Sequence, residues 1–197
     1  MKTCKVARVR KLLVAGNSTM PRCVGIFNLP ALKTCMPSVW CKKHCYALRN
    51  RFVWKSVIDA LTWRYNRSCA DNFVDEILSE LSRRKSIEYV RIHIAGDFYD
   101  RKYVNKWAEV AKQRPDITFR TNTRRTDLMT YMKKVFPKNV IVRESTDSTR
   151  KHKGLFPQAA IEGTLGSKRF FRCCNNCEKC KFYWWMHPRV NIALAIL

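Results

Sequence analysis

From residue 88 onward the chain repeats one unit, and that repeat limits the folds open to it. Residues 88–97 alternate, with Val90, Ile92 and Ile94 on one side and Arg91, His93 and Ala95 on the other, which predicts a strand. Asp100 then stands where it can cap a helix carrying Val104, Trp107, Ala108, Val110 and Ala111, which must stop before Pro115. The unit recurs as a strand over 117–121, a helix over 126–135 and a strand over 140–144. Strands that alternate with helices of this length predict right-handed crossovers and a parallel sheet. The apolar run 24–29, closed by Pro30, supplies a fourth strand, so the expected class is α/β.

Around this repeat the other segments take their places. Residues 1–22 are basic and carry the turn signal Gly16-Asn17-Ser18, so they read as an arm with at most a short strand or hairpin. Apolar positions over 42–65 recur at helical spacing with Arg49, Arg51, Lys55 and Arg64 between them, which predicts one long amphipathic helix. A second helix is expected from near Asp71 through Leu81, with Asp75 and Glu76 at its start and Arg83-Arg84-Lys85 at its end, as the macrodipole favours. Residues 151–197 form a cysteine-rich extension packed on the 23–150 core. Residues 145–172 read as loop with at most a strand over 159–164, and the apolar runs 182–185 and 190–197 read as closing strands.

The formal charge is +24, from 39 Lys and Arg against 15 Asp and Glu, spread along the whole chain. Such a field attracts polyanions, so nucleic acid, DNA or RNA, is the expected partner, with a merely solvated basic surface as the plain alternative. No stretch approaches the length of a membrane span, which predicts no membrane and a cytoplasmic protein, in the host cytoplasm if phage-encoded.

Ten cysteines in a cytoplasmic chain point to metal or redox chemistry rather than disulfides. Cys4, Cys23 and Cys69 stand alone and read as small buried hydrophobes. Cys35, Cys41 and Cys45 share the loop after the first strand as C-x5-C-x3-C, and Cys174, Cys177 and Cys180 form C-x2-C-x2-C beside Cys173. Thiolates at these spacings bind zinc or an iron-sulfur cluster, because turns of two or three residues let several sulfurs face one centre. Two clusters, one cluster with one zinc, and one shared zinc site all remain open; His44 reads as solvated.

Sites in parallel α/β sheets gather where strands end and helices begin. Those ends carry Asn28, then Gly96-Asp97, then Thr121-Asn122-Thr123, then Glu144-Ser145-Thr146-Asp147. Gly96 lets backbone approach a ligand, and Asp97 either accepts from an amine or hydroxyl or starts the next turn. His93 with Arg91, Arg120 and Arg143 suits a carboxylate or phosphate if that face is covered, and is surface charge if it is solvated. Phe170, Phe171, Phe182, Tyr183, Trp184 and Trp185 surround the late cysteines and read as core packing ahead of a base-stacking platform.

These residues give the chain a likeness. It resembles the phage gene product 88 domain family in Asn28-Leu29-Pro30, in Thr34-Cys35 with Cys41 and Cys45-Tyr46-Ala47, and in Val90-Arg91-Ile92-His93 with Ala95-Gly96-Asp97-Phe98. Tyr103 with Trp107 and the late Cys-x2-Cys pairs belong to the same pattern, over most of residues 24–180. More distantly it is similar to radical S-adenosylmethionine enzymes, although its C-x5-C-x3-C departs from their C-x3-C-x2-C. That likeness implies a partial (β/α) barrel with a [4Fe-4S] cluster on Cys35, Cys41 and Cys45. Tyr46 would be the flanking aromatic, Gly96-Asp97 would meet the cofactor's amine, and Asn122 would stand near the cofactor at the third strand's end.

The leading expectation is an iron-sulfur protein of this kind, acting on or bound to nucleic acid. Cys173, Cys174, Cys177 and Cys180 would hold a second cluster or a zinc; no catalytic residue is assigned. The alternatives are a zinc-stabilised nucleic-acid-binding phage protein without catalysis, and a nuclease with a metal on Asp97, Glu144 and Asp147.

Overall fold

The structure is a computed structural model that describes residues 10–161 and 170–194. Its frame is one eight-stranded sheet. In spatial order the strands are β1 (Val14–Ala15), β2 (Val24–Phe27), β3 (Tyr89–Ile92), β4 (Thr118–Thr123), β5 (Val140–Thr146), β6 (Gln158–Ile161), β8 (Ile192–Leu194) and β7 (Phe171–Arg172). Every neighbouring pair is parallel except β1 with β2. The four predicted parallel strands are β2 to β5, side by side and in chain order. The sheet has two edges, β1 and β7, and among the described residues no pairing closes it into a barrel.

Helices α3 (Phe73–Arg83), α4 (Arg101–Gln113) and α5 (Thr126–Val135) cover one face. Their apolar stripes meet Val90, Ile92, Phe119, Val140 and Val142 in the main core. Trp107 of α4 lies at its centre, fully buried, with ring centroids 5.3 Å from Phe27 and 5.6 Å from Phe73. The predicted cap is in place: the Asp100 carboxylate accepts from the Tyr103 N–H at 2.7 Å and satisfies one of the donors a helix start leaves open. The described part of the N-terminal segment carries the short hairpin strand expected of it, β1 on β2, and packs on this core. Glu80 of α3 accepts from the backbone N–H groups of Leu12 and Leu13 at 2.8 and 3.2 Å, and both leucines are buried.

The opposite face carries Ile26, Arg91, Arg120 and Arg143, and the C-terminal segment folds across part of it. Residues 182–185, expected as a strand, contribute instead to α6 (Tyr183–Met186). Phe182 at φ +55° turns the chain so that Trp184 and Trp185 bury in a second core with Met20, Val24, Ile26 and Ile192. Core packing is thus the use made of these two tryptophans. The strand expected over 159–164 appears as β6 for its described part, and part of 190–197 is β8.

The long helix expected over 42–65 is broken. α1 (Val39–Lys43) is followed by 3-10 turns at Tyr46–Leu48 and Asn50–Val53, and then α2 (Lys55–Cys69). Cys45 and Arg49 are extended and Asn50 sits at φ +52°, which ends each helical run. Leu48, Val53, Trp54 and Ile58 are therefore exposed instead of forming one buried stripe. Of the solitary cysteines, Cys23 is half-buried and packs against the second core as expected of a small hydrophobe, Cys69 is exposed, and Cys4 lies outside the described residues.

Candidate cysteine-lined binding site

The loop between β2 and α1 is held to the sheet's carboxyl rim by a set of specific bonds. The Asn28 side-chain oxygen accepts from the N–H groups of Ile94 and Ala95 at 2.7 and 3.2 Å, and the Leu29 N–H donates to Ala95 O at 3.0 Å. Thr34 Oγ1 donates to Pro30 O at 2.9 Å and accepts from the Asp97 N–H at 3.2 Å. Ser38 caps α1 by accepting from the Cys41 N–H at 3.1 Å, and donates to Asp147 Oδ2 at 2.5 Å. Thr149 accepts from the Trp40 N–H at 3.0 Å, and Arg150 donates to Met36 O at 3.0 Å. Cys35 and Cys41 are thereby fixed between the exits of β2 and β5.

That loop forms one wall of a cavity of about 740 Å³. Cys35, Cys41 and Cys45 line it, and so do Cys173, Cys177 and Cys180. Tyr46, His93, Gly96, Asp97 and Asn122 line it too, while Cys174, Arg143, Glu144 and Asp147 do not. Among the described residues, no group of three or more His, Cys, Asp or Glu stands close enough to hold a metal ion as drawn.

Burial governs the charges. It pushes the Cys35 thiol up to about 12, with Asp97 adding to the effect, and raises Cys41 against the pull of Arg124. Burial likewise raises Cys173, which Arg120 opposes. These thiols are protonated at neutral pH, and a metal that took them would have to displace protons. The Tyr46 hydroxyl donates to Ile94 O, and burial raises it to about 12.

Residues 3–170 match the sequence profile of the family described as Gene product 88. The chain belongs to that family. Gene 88 protein of Mycobacterium phage L5 is 30% identical over 136 residues, which cover 61% of this chain and 55% of that protein. The chain thus spans about half the length of that relative. No solved structure matches it significantly. The family match takes in the first cysteine run, His93, Gly96-Asp97 and Asn122, and ends before Cys173, so the late cysteines lie outside it.

The gene product 88 residues after β3 do less for a ligand than their motif suggests. Gly96 sits at φ +86°, and a Cβ there would lie 2.6 Å from Leu29 Cβ and 2.9 Å from Leu29 O. Its close approach is to the cysteine loop, not to a ligand. The Asp97 carboxylate accepts from Thr123 Oγ1 at 2.7 Å and from the N–H groups of Phe98 and Arg124, both at 2.8 Å. It fastens the turn to the β4 exit. His93 leaves the face predicted for it: at φ +61° it rotates out of strand alternation. Its ring packs on Phe27, Phe98 and Tyr103, and Nε2 meets the Tyr103 hydroxyl at 2.8 Å.

Arg91 and Arg120 keep the predicted face and line the cavity. Asn122, with its amide oxygen toward Arg91, accepts from Nη2 at 3.2 Å. Arg143 shares that face but donates to the carbonyls of Trp184, His187 and Val190 at 2.8 to 3.0 Å, clamping the C-terminal segment. His44 is exposed and stacks on Trp40. Arg124 was not anticipated. It bonds Ser145 Oγ at 2.6 Å and Asp147 Oδ2 at 3.1 Å, and its only sequence signal is its place just after the polar β4 exit.

The carboxylates named for a nuclease do not assemble. Asp147 accepts from Ser38, Thr149 and Arg124, and Asp97 is filled as above. Glu144 accepts from the Lys153 N–H at 2.6 Å and faces His152.

Proposed function

We propose that the cavity is a thiolate metal centre, with an iron-sulfur cluster on Cys35, Cys41 and Cys45, in a protein that acts on or docks against nucleic acid. One observation carries this reading: two cysteine runs far apart in sequence line a single cavity. The donor chemistry fits, since sulfur ligands select iron-sulfur clusters and zinc. A [4Fe-4S] cluster held by three cysteines supplies redox chemistry at an iron left open to a ligand. The chain's own contribution is to pin Cys35 and Cys41 through Thr34, Ser38 and Asp147. The sheet wraps this centre as a partial barrel, a reading supported by Val14 of β1, Arg91 of β3, Ile161 of β6 and Leu194 of β8 lining the same cavity.

S-adenosylmethionine does not fit the residues assigned to it. Asp97 has its oxygens filled by Thr123, Phe98 and Arg124, and Gly96 abuts Leu29. No step through that cofactor follows.

A second reading, for the late cysteines, is a structural zinc. Asn175 within the Cys173–Cys180 run, and Lys181 and Phe182 directly after it, sit at positive φ, a density of strained backbone that a metal clamp would hold. Nucleic acid as partner is supported by the charge of +24 and by the absence of any Asp or Glu before Asp59 in the sequence. A phage-encoded relative is consistent with action in a host cytoplasm, and no described helix is long and apolar enough to cross a membrane.

Anaerobic purification followed by iron, sulfide and zinc analysis tests the proposal. The expected result is coloured protein with iron and sulfide, both lost in Cys41→Ala. Colourless protein carrying only stoichiometric zinc would overturn it.

A further inference from the structure

Two buried cations in the cavity lack a counter-charge. Arg91 of β3 and Arg120 of β4 are register partners on adjacent strands, on the same face, at 7% and 3% exposure. Like charges directly opposed across strands are unfavourable, and burying a guanidinium is costly unless it is paired and hydrogen-bonded. Among the described residues no salt bridge joins either to a carboxylate. Arg120 Nε and Nη1 are buried without a hydrogen-bond partner, and its guanidinium is stacked over Trp184 at 3.6 Å and Trp185 at 4.2 Å. Arg143, one strand further on, differs in that Nε and Nη2 donate to three backbone carbonyls, which leaves only Nη1 without a partner.

We infer that Arg91 and Arg120 form an oxyanion site in the cavity for the phosphate or carboxylate of a nucleotide-sized ligand. Guanidinium forks bind such groups through paired N–H bonds, and the tryptophan stack holds the Arg120 plane ready for them. Asn122 orients Arg91 through its amide oxygen. At about 740 Å³ the cavity is large enough for a ligand of that size, and Trp40, Tyr46 and Phe52 give it an aromatic wall. The site needs no metal, so it stands apart from the thiolate reading.

The test uses the full chain, reduced and stripped of metal by a chelator. Inorganic phosphate, adenosine 5′-monophosphate and acetate are titrated at constant ionic strength, with binding read by calorimetry and melting temperature. Saturable binding of at least one probe is expected, weakened roughly tenfold or more in Arg91→Gln and in Arg120→Met, as loss of a charged hydrogen bond implies. Arg120→Met should also melt higher than wild type without a probe, because an unpaired buried charge is gone. If Arg120→Met does not fold, Arg91→Gln decides alone. Saturation by phosphate and the nucleotide identifies a phosphate site, and saturation by acetate a carboxylate site. No saturable binding, or equal binding in wild type and variants, would overturn the inference, since general attraction to a basic surface survives both substitutions.

Discussion

At Gly96 the requirement for glycine is doubly set, by a φ of +86° and by Leu29 packed where a side chain would begin. Gly96→Ala should cost roughly 1–3 kcal/mol in denaturant unfolding, and the loss should appear with no metal or ligand present. His93 makes a second prediction. Burial lowers it from the usual 6.5 to about 3, so the folded state holds it neutral while the unfolded chain protonates near 6.5. Its contribution is full above about pH 6.5 and is lost as pH falls toward about 3, on the order of 2 kcal/mol between about pH 7.5 and pH 5. His93→Gln should flatten that slope; an unchanged slope would place the titration elsewhere. Neither residue's role was legible in sequence. Gly-Asp names a turn without saying what packs on it, and alternation put His93 beside Arg91 because it assumes an unbroken strand. Asn28 breaks that strand by taking the N–H groups of Ile94 and Ala95.

At the scale of elements, β2 to β5 and the capped helix α4 were readable because period and capping chemistry are local. The interruption after α1 was not. Leu48, Val53 and Ile58 keep helical spacing, while Cys45, Arg49 and Asn50 leave helical geometry under tertiary ties. Beside them the Tyr46 hydroxyl donates to Ile94 O. The loop before α1 is tied by Asp147, whose carboxylate Ser38, Thr149 and Arg124 hold below its usual range against the opposing effect of burial. Asp147→Ala should loosen residues 35–45, seen as faster amide exchange there, while β3 and β4 keep their protection. Uniform loosening across the sheet would mean that Asp147 supports the whole fold and not the loop.

Across the whole molecule, the sequence showed the cysteine-rich composition of the cavity better than its geometry. Both cysteine runs were identifiable, but their meeting in one cavity depends on β8 and β7 returning beside β6, a pairing no local pattern announces. The charge of +24 predicts that a labelled single-stranded oligonucleotide binds with steep salt dependence, falling roughly 300-fold between about 50 and 200 mM salt if six phosphates are engaged. A flat response would remove nucleic acid as partner and leave the proposed metal centre untouched. The claim on which the rest depends is that Cys35, Cys41 and Cys45 bind iron. X-ray absorption at the iron edge of anaerobically reconstituted protein reads it most directly. A sulfur shell around iron in the wild type, absent from the Cys35→Ala, Cys41→Ala, Cys45→Ala triple variant, is the predicted result. Iron surrounded only by oxygen and nitrogen, or no iron retained, would contradict it.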